Sequence, residues 1–399
     1  MERLYWNNDW KFAETWEEAM KEAVYPENEM EDVRLPHTCK ELPYHYFDEH
    51  AYQMLCGYRR HFMAPEAWQG KSVELTFEGV AHDAVVYVNG TEVKAHHCGY
   101  TAFFVEIAKY LKYGEDNVLA VRVDSRENLN IPPFGYAIDY MTFGGMYREV
   151  YVQVRNKTHL ADVFVKPQIH PLQVTTEITV QNISDGITLQ QEIRKKGEGA
   201  YSPLGKKPVK QTNVQTVFPV QEIRLWEPEN PYLYEIRTSL WKNGEMIDAR
   251  VDITGFREAG FRKDGFYLNG KKLRLRGLNR HQSYPYVGYA APASMQIFDA
   301  DILKKELGVN AVRTSHYPQS QDFIRRCDEI GLLVFTEFPG WQHIGDEEWK
   351  RQAVQNLREM IVQYRNHPSI ILWGVRINES QDDDVFYRET NRVAHELDD

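Results

Sequence analysis

The chain has 399 residues, of which 42% are hydrophobic and 13% aromatic, so it is long enough for two or three domains with separate cores. Its net charge is −11 and its basic residues form no block, which argues against nucleic acid as a partner. No stretch approaches the roughly 20 apolar residues of a membrane span. The start of the chain shows no signal peptide, and the four cysteines have no CxxC spacing. We therefore expect a cytoplasmic protein with free thiols and no membrane partner.

Residues 1–155 are predicted to form a β-sandwich of the jelly-roll type. The segment KSVELTFEGV alternates apolar and polar residues, which directs Val73, Leu75 and Phe77 inward and Glu74, Thr76 and Glu78 outward. An Asn-Gly pair at 89–90 predicts a type I′ hairpin turn. Further short strands follow at similar spacing, as in other all-β sandwiches.

Residues 156–258 are predicted to form a second all-β domain. Its short strands are separated by turn signals such as the Asn-Gly pair at 243–244. A length of roughly 100 residues suits an immunoglobulin-like sandwich, although the Cys…Trp…Cys pattern of antibody domains is absent. The segment at 195–207, KKGEGAYSPLGKK, is predicted to be an exposed loop.

From 259 to 399, strands and helices alternate. The predicted strands are KLRLRGLNRH, NAVRTSH, LLVFTE and SIILWGV, and each precedes an amphipathic helix, the third capped by Asp346. Apolar strands between amphipathic helices are typical of a parallel sheet covered on both faces. Four such units fit a small doubly wound domain or the first half of a (β/α)8 TIM barrel. Because no G-x-G-x-x-G motif follows the first strand, the half-barrel is favoured.

Polar side chains follow each of these four strands. In strand order they are Asn279, Arg280 and His281, then Arg313 and His316, then Glu337, and finally Asn378 and Glu379. In parallel βα architectures the active site lies at the carboxyl ends of the strands. A single polar residue there is more often a cap, but four strands in succession indicate a functional rim.

The residue types on this rim favour acid/base chemistry on a glycosidic bond. Carboxylates occur with amides, imidazoles and aromatic rings, and there is no evident nucleophilic Ser or Cys. Glycoside hydrolysis needs one protonated carboxyl near the leaving oxygen and one ionised carboxylate at the anomeric carbon. Glu379 follows an apolar strand, so we expect it to be partly desolvated. Desolvation raises the pKa of a carboxyl group, which suits the acid.

The segment RNHPSIILWGVRINES resembles the acid/base signature of glycoside hydrolase family 2. The matching residues are Asn366, His367, Pro368, Ser369, Trp373, Gly374, Asn378 and Glu379. HHCGYT, YLKYGEDNVLAVRVD and FGGMYREVYV resemble the sugar-binding domain of that family, and LWEPENPYLYEI resembles its immunoglobulin-like domain. GFR, FYLNGKKLRLRGLNRHQ and AVRTSHYP resemble the entry into its barrel. The resemblance covers the whole chain and is nearest to the β-galactosidase branch.

The resemblance implies a role for each rim residue. Glu379 would be the acid/base, and Asn378 would hold the sugar 2-hydroxyl, a contact that strengthens in the transition state. The other implied substrate-binding residues are His281, His316, Arg313 and, from the first domain, Asp139. Asp139 stands where β-galactosidases extend an acidic residue toward the sugar, and the alternative is an ordinary turn aspartate.

The nucleophile of the family is a second Glu on a later barrel strand. The local carboxylates that remain are Glu337, Asp346 and the acidic run 382–384. We therefore expect this chain to be the N-terminal portion of a retaining hydrolase of terminal β-galactosides, inactive alone. Its open barrel would expose sheet edges and apolar faces. It should accordingly be a homo-oligomer or bind a complementing C-terminal segment.

Two alternatives stay open. The first is a β-glucuronidase of the same family, whose recognition pair would lie beyond Asp399. The second is a non-catalytic carbohydrate-binding fragment, which the missing nucleophile favours. In each case the ligand is a carbohydrate. The resemblance also leaves Mg²⁺ open as a cofactor, with Glu337, His343 and Glu379 as hard ligands whose spacing defines no site.

Overall fold

The computed structural model describes residues 3–45, 48–135 and 137–399. Its first ten strands are β1 (Leu4–Tyr5), β2 (Trp10–Ala13), β3 (Glu31–Val33), β4 (Leu55–Met63), β5 (Ser72–Phe77), β6 (Asp83–Val88), β7 (Thr91–His96), β8 (Phe103–Glu106), β9 (Asp116–Asp124) and β10 (Val150–Arg155). They form an antiparallel sheet in the order β1-β10-β5-β8 and a second one in the order β3-β2-β4-β9-β6-β7. Four short 3₁₀ helices lie between them, at Glu18–Lys21, Glu49–Tyr52, Glu66–Trp68 and Ala108–Tyr110.

The alternation of buried and exposed residues predicted for β5 is confirmed for the buried face and is wrong for the exposed face. Val73, Leu75 and Phe77 are fully buried in the sandwich core. Thr76 and Glu78, which were expected to face solvent, are buried as well. The outer face at Glu78 is covered by the barrel, since Glu78 interacts electrostatically with Arg325 there. Burial raises the pKa of Glu78 to about 7.

The second group of strands forms another sandwich. Its members are β11 (His159–Ile169), β12 (Leu172–Gln181), β13 (Ile187–Lys195), β14 (Ser202–Pro208), β15 (Asn213–Pro219), β16 (Trp226–Glu227), β17 (Asn230–Pro231), β18 (Tyr234–Lys242) and β19 (Glu245–Thr254). One sheet has the order β11-β12-β15 and the other β14-β13-β18-β19, while β16 and β17 form a short hairpin. The loop predicted at 195–207 is wrong in its second half, because β14 pairs with β13 there.

The chain then enters the parallel sheet through a small antiparallel one. That sheet consists of β20 (Ala259–Arg262), β21 (Gly265–Leu268) and β22 (Lys271–Leu273). The parallel part consists of β23 (Gly277–Arg280), α1 (Ala293–Asp301), β24 (Ala311–Thr314), α2 (Gln321–Ile330), β25 (Leu333–Glu337), α3 (Glu347–Tyr364), β26 (Ile370–Gly374) and α4 (Asp384–Leu397). A π-helical turn, Ile302–Glu306, extends α1. The single strand predicted for KLRLRGLNRH is therefore two strands, β22 and β23, in different sheets.

The strand order distinguishes the two folds left open by the sequence. β23, β24, β25 and β26 pair in parallel and in chain order. A doubly wound sheet reverses its strand order at a switch point, and none occurs among these four strands. The sheet is therefore the first half of a barrel. Asp346 accepts hydrogen bonds from the backbone N–H groups of Glu348 and Trp349, which confirms it as the N-cap of α3.

Both sandwiches brace the outer side of this half-barrel. From the first sandwich, Arg148 donates to the carbonyl of Pro318 at 3.1 Å, and His96 lies 3.0 Å from a carboxylate oxygen of Glu359 on α3. From the second, Trp226 donates its indole N–H to the carbonyl of Asp328 at 2.8 Å. The helices are thus held against β-domains on one side.

The inner face of the half-barrel is open. Phe261, Leu278 and Leu372 are exposed to 54%, 48% and 38%, and they line a cavity of about 200 Å³. Such a patch is usual at interfaces and rare on the free surface of a monomer.

The described ranges also bear on the sequence predictions about membrane spans and cysteines. None of their helices is both long and apolar enough to cross a bilayer, and the four cysteines, Cys39, Cys56, Cys98 and Cys327, are buried free thiols.

Charging this inner face should make the chain more soluble. We expect the 399-residue chain to self-associate at micromolar concentration, and the pair Leu278→Glu with Leu372→Lys to shift it toward the monomer. The physical reason is that association buries apolar side chains, which charges oppose. Sedimentation velocity measures the shift. Val217→Glu is the matched control, because Val217 is 50% exposed on the remote strand β15. A monomeric wild-type chain would contradict the expectation.

Candidate active site

The acid/base motif divides into a structural part and a rim part. Asn366 donates to the carbonyl of Val163 at 2.9 Å and accepts from the N–H of Val165 at 2.9 Å, both on β11. His367 bonds to the carboxylate of Asp328. The first half of the motif therefore fastens the barrel to the second sandwich and to α2. Only its end, 378–379, reaches the rim.

Glu337 is the centre of the rim. It ends β25, is buried, and accepts from Arg313 Nε on Oε2 and from Arg313 Nη2 on Oε1, both at 2.9 Å. Its Oε1 also lies 2.6 Å from Nδ1 of His316. Bidentate pairing of this kind fixes both partners in one plane. Both oxygens of Glu337 are thus engaged, and this carboxylate is not available as a partner for Glu379.

Asn378 is oriented by the same network. Its side-chain oxygen accepts from Nη2 of Arg313 at 2.9 Å. Because the oxygen is directed to the guanidinium, the amide NH₂ group is directed away from it. An amide held in this way presents two donors, which suits a sugar hydroxyl. The structure therefore brings together three of the residues predicted from the sequence: Arg313, His316 and Asn378.

His281 lies beside this network. Its Nδ1 is 3.1 Å from the hydroxyl of Tyr317, and its ring centroid is 5.6 Å from that of His316. Burial and the neighbouring His316 lower the pKa of His281 to about 4. The imidazole is therefore neutral at physiological pH. Arg280, which the sequence placed on the same rim, instead bonds to Asp299 and Gln319 behind it.

Glu379 is positioned differently from the expectation. In the described part of the chain Glu379 is exposed to solvent. The prediction that its carboxyl group is partly desolvated is therefore wrong there. The reason is that β26 is the outer strand of the half-barrel and nothing described covers its far side. One oxygen of Glu379 accepts from the amide of Gln342 at 3.1 Å. Its φ of 56° lies in the left-handed region, an uncommon conformation that is enriched at functional sites.

The first sandwich contributes a loop to this rim. Asp139 is exposed on it, close enough to His281 for its charge to favour the protonated imidazole. Tyr140, the next residue, inserts its ring among the histidines, with centroids 5.0 Å from His281 and 5.9 Å from His316. The backbone at Asp139 and Tyr140 forms a bend. Asp139 can therefore be a turn residue and still lie at the rim.

Two contributors to the rim were missed at the sequence level, Tyr140 and Gln342. Tyr140 directly follows Asp139 in the segment that resembles the family, so its position was a usable signal. Gln342 belongs to no sequence motif or periodic segment that would indicate a functional role. It is placed by a backbone hydrogen bond from its N–H to the carbonyl of Asn378 at 2.9 Å, a contact between loops far apart in sequence.

Glu337, one of the three residues suggested for Mg²⁺, does not fit that role. Both of its oxygens are engaged by a guanidinium or an imidazole, and those positively charged or donor groups stand where a hard cation would bind. Within residues 3–45, 48–135 and 137–399, no group of three or more His, Cys, Asp or Glu side chains could hold a metal.

Family models match the chain over most of its length. Residues 32–155 match the sugar-binding domain of glycosyl hydrolases family 2, residues 158–257 match a further model of the same family, and residues 260–399 match its TIM barrel domain. The predicted fold class is thereby confirmed: a jelly-roll sandwich, an immunoglobulin-like sandwich and part of a TIM barrel.

The chain is also similar to individual proteins of known type. It is 48% identical to a β-galactosidase of Thermoanaerobacter pseudethanolicus, over 99% of this chain and 54% of that one. It is 47% identical to a β-galactosidase of Thermoanaerobacterium thermosulfurigenes, over 98% of this chain and 56% of the relative. Its fold matches that of a Bacteroides uniformis β-glucuronidase with a TM-score of 0.88 at 29% identity, over 100% of this chain and 51% of the other. The chain thus spans about half the length of the curated relatives it matches.

Proposed function

Because this chain belongs to glycosyl hydrolase family 2, we propose that it carries the acid/base half of a retaining active site for terminal β-galactosides. The observation that supports this most directly is the pairing at 378–379. The amide of Asn378 is fixed by Arg313, while the carboxyl of Glu379 stands free of that ion network, next to Gln342. In this proposal Asn378 is fixed in an orientation that binds the sugar, and Glu379 is available for proton transfer.

In the proposed reaction Glu379 acts first as an acid. Its carboxyl proton passes to the glycosidic oxygen as the bond from that oxygen to the anomeric carbon breaks. The nucleophilic carboxylate, which the resemblance places on a later barrel strand, forms the new bond to that carbon. Glu379, now ionised, then takes a proton from water as the water oxygen displaces the enzyme. Asn378 donates to the 2-hydroxyl throughout, and His281 donates to another sugar hydroxyl.

The charges of the rim support a neutral sugar. Asp139 and Glu379 are acidic and exposed, and the guanidinium of Arg313 is neutralised by Glu337. A glucuronide carries a carboxylate, which needs a cation or several donors at its binding site. The rim within the described residues offers it no unpaired cation. The two β-galactosidase relatives, at 48% and 47% identity, support the same choice.

The alternative substrate is a β-glucuronide. It is supported by the structural match to the Bacteroides uniformis β-glucuronidase, at a TM-score of 0.88. In that case the cation would come from residues outside this chain. A non-catalytic carbohydrate-binding role is the third candidate, and it is supported by the engagement of Glu337, which leaves Glu379 without a free carboxylate on the neighbouring strand β25.

We propose two further properties with this function. The open face at Leu278 and Leu372 would receive the complementing half-barrel or, in its absence, a second copy of the chain. The four buried free thiols support a reducing, cytoplasmic location.

Complementation tests the proposed activity. We expect the chain alone to leave nitrophenyl β-galactoside intact. A fusion to the part of the Thermoanaerobacter pseudethanolicus relative that this chain does not cover should hydrolyse it, and should hydrolyse nitrophenyl β-glucuronide much more slowly. Faster turnover of the glucuronide would favour the alternative substrate. A fusion that binds galactose without any turnover would contradict the hydrolase and favour the binding fragment.

A further inference from the structure

Tyr140 belongs to the first sandwich by sequence but packs in the barrel rim. Its ring lies against His281 at 5.0 Å, against His316 at 5.9 Å and against Tyr317 at 5.4 Å. It also meets Trp341 edge-on at 6.4 Å. A single side chain from another domain thus touches four rings of the candidate site. Aromatic packing of this kind favours particular ring orientations as well as excluding water.

The hydrogen bonds on the other side of His281 involve the hydroxyl of Tyr317. The backbone N–H of Gln282 donates to the hydroxyl oxygen of Tyr317 at 3.4 Å. We place the phenolic proton of Tyr317 in the bond to Nδ1 of His281, 3.1 Å away. With Nδ1 as acceptor, the ring proton of a neutral His281 sits on Nε2. We assign the proton from this network.

The charges around His281 come from several elements. His316 after β24 and Arg280 at the end of β23 oppose its protonation, whereas Asp139 on the loop and Glu337 at the end of β25 favour it. Burial exceeds all four effects and gives a pKa of about 4. The side chains that exclude water therefore decide whether His281 stays neutral.

We propose that Tyr140 is a positioning residue, by which the sugar-binding sandwich holds His281 as a neutral donor of its Nε2–H toward the bound sugar. The inference deepens the proposed function, since it gives His281 a sugar hydroxyl as its partner. The ring of Tyr140 performs this role, and its hydroxyl does not. That hydroxyl is buried and has no hydrogen-bond partner among the described residues, so it is not directed at open solvent where a sugar would bind.

The protonation of His281 can be followed without any enzymatic activity. In the 399-residue chain with labelled histidines, ¹⁵N NMR should show His281 titrating near pH 4, with its proton on Nε2. Tyr140→Phe keeps the ring, so we expect the same titration. Tyr140→Leu admits water, so the midpoint should move upward by more than one pH unit, toward the 6.5 of a solvated imidazole. His281→Gln identifies the resonance.

Three outcomes would overturn the inference. The first is an unchanged His281 midpoint in Tyr140→Leu, and the second is a Phe variant that shifts as far as the Leu variant. The third is a wild-type His281 with its proton on Nδ1. His37 and His82, whose pKa values are lowered to about 4 by burial in the first sandwich, show in the same spectra whether a variant is folded. If Tyr140→Leu loses these signals, a raised midpoint in the Phe variant or a wild-type proton on Nδ1 would still overturn the inference.

A second readout separates this inference from the proposed function. In the active fusion, Tyr140→Leu should raise KM for the galactoside at least tenfold, with the loss growing below pH 6.5 as His281 becomes charged. Tyr140→Phe should change it less than twofold. A Leu variant with unchanged KM would contradict the role of Tyr140. A fusion without any turnover contradicts the proposed function instead, and the NMR result then stands by itself.

Discussion

Replacing Glu379 with Gln in the complemented enzyme is expected to lower kcat/KM for lactose by about 10²–10⁴-fold, the contribution of a positioned general acid. Glutamine keeps the length of the side chain and can still meet Gln342, so binding should change little. It has no proton to deliver at the moment the glycosidic bond breaks. The loss should therefore appear in the step that forms the glycosyl-enzyme.

The size of this loss should depend on the leaving group. A dinitrophenolate leaves without protonation, so dinitrophenyl β-galactoside should lose far less in its first step than lactose does. Steady-state and burst kinetics with both substrates measure the difference. Glu347→Gln is the matched control, since Glu347 is 93% exposed at the start of α3. An equal loss for both substrates would show that Glu379 does not transfer the proton.

Replacing Glu337 with Ala is expected to destabilise the half-barrel and abolish activity together. Breaking a buried ion pair costs about 3–5 kcal/mol, because one charge is left without its partner. The lower end of that range applies, since the Arg313 side chain is 24% exposed and water can reach it. Activity should fall with stability, because Arg313 would no longer be held in the plane from which it orients Asn378.

Denaturant unfolding of the folded chain measures the stability effect. Glu348→Ala is the control, since its ion pair with Arg351 is 3.8 Å long and more than half exposed, and such pairs contribute about 0–1 kcal/mol. Equal destabilisation by the two variants would show that the rim network contributes no more than a surface pair. A stable Glu337→Ala enzyme with full activity would contradict its role in positioning Asn378.

The positions of three rim residues could be predicted from the sequence because parallel βα units place strand ends at one edge whatever the details of packing. Arg313, His316 and Asn378 follow from that rule, and the structure joins them in one network. Arg280 shows where this rule about strand ends fails. At the end of a strand the side chain can turn toward the rim or toward the helices, and partners distant in sequence, such as Asp299, decide which.

The errors have one physical cause, which is contact between separate parts of the chain. Glu78 was expected in solvent because alternation describes a strand by itself, whereas the barrel covers its outer face. Glu379 was expected to be partly buried because its strand is apolar, whereas β26 stands at an open edge. Tyr140 was missed because its partners lie more than 100 positions further along the chain. The alternation of apolar and polar residues within one segment carries no information about such contacts.

The braces between the sandwiches and the barrel helices also bear on how the polypeptide is made. During synthesis the N-terminal domains leave the ribosome and fold first. Every partner of the braces at Arg148, His96 and Trp226 has been translated by residue 399. Nascent helices α2 and α3 can therefore dock onto folded sandwiches without any barrel strand beyond β26. The four parallel strands would then be supported from outside as soon as they form, with Arg313, His316, Glu337 and Asn378 already joined at their rim.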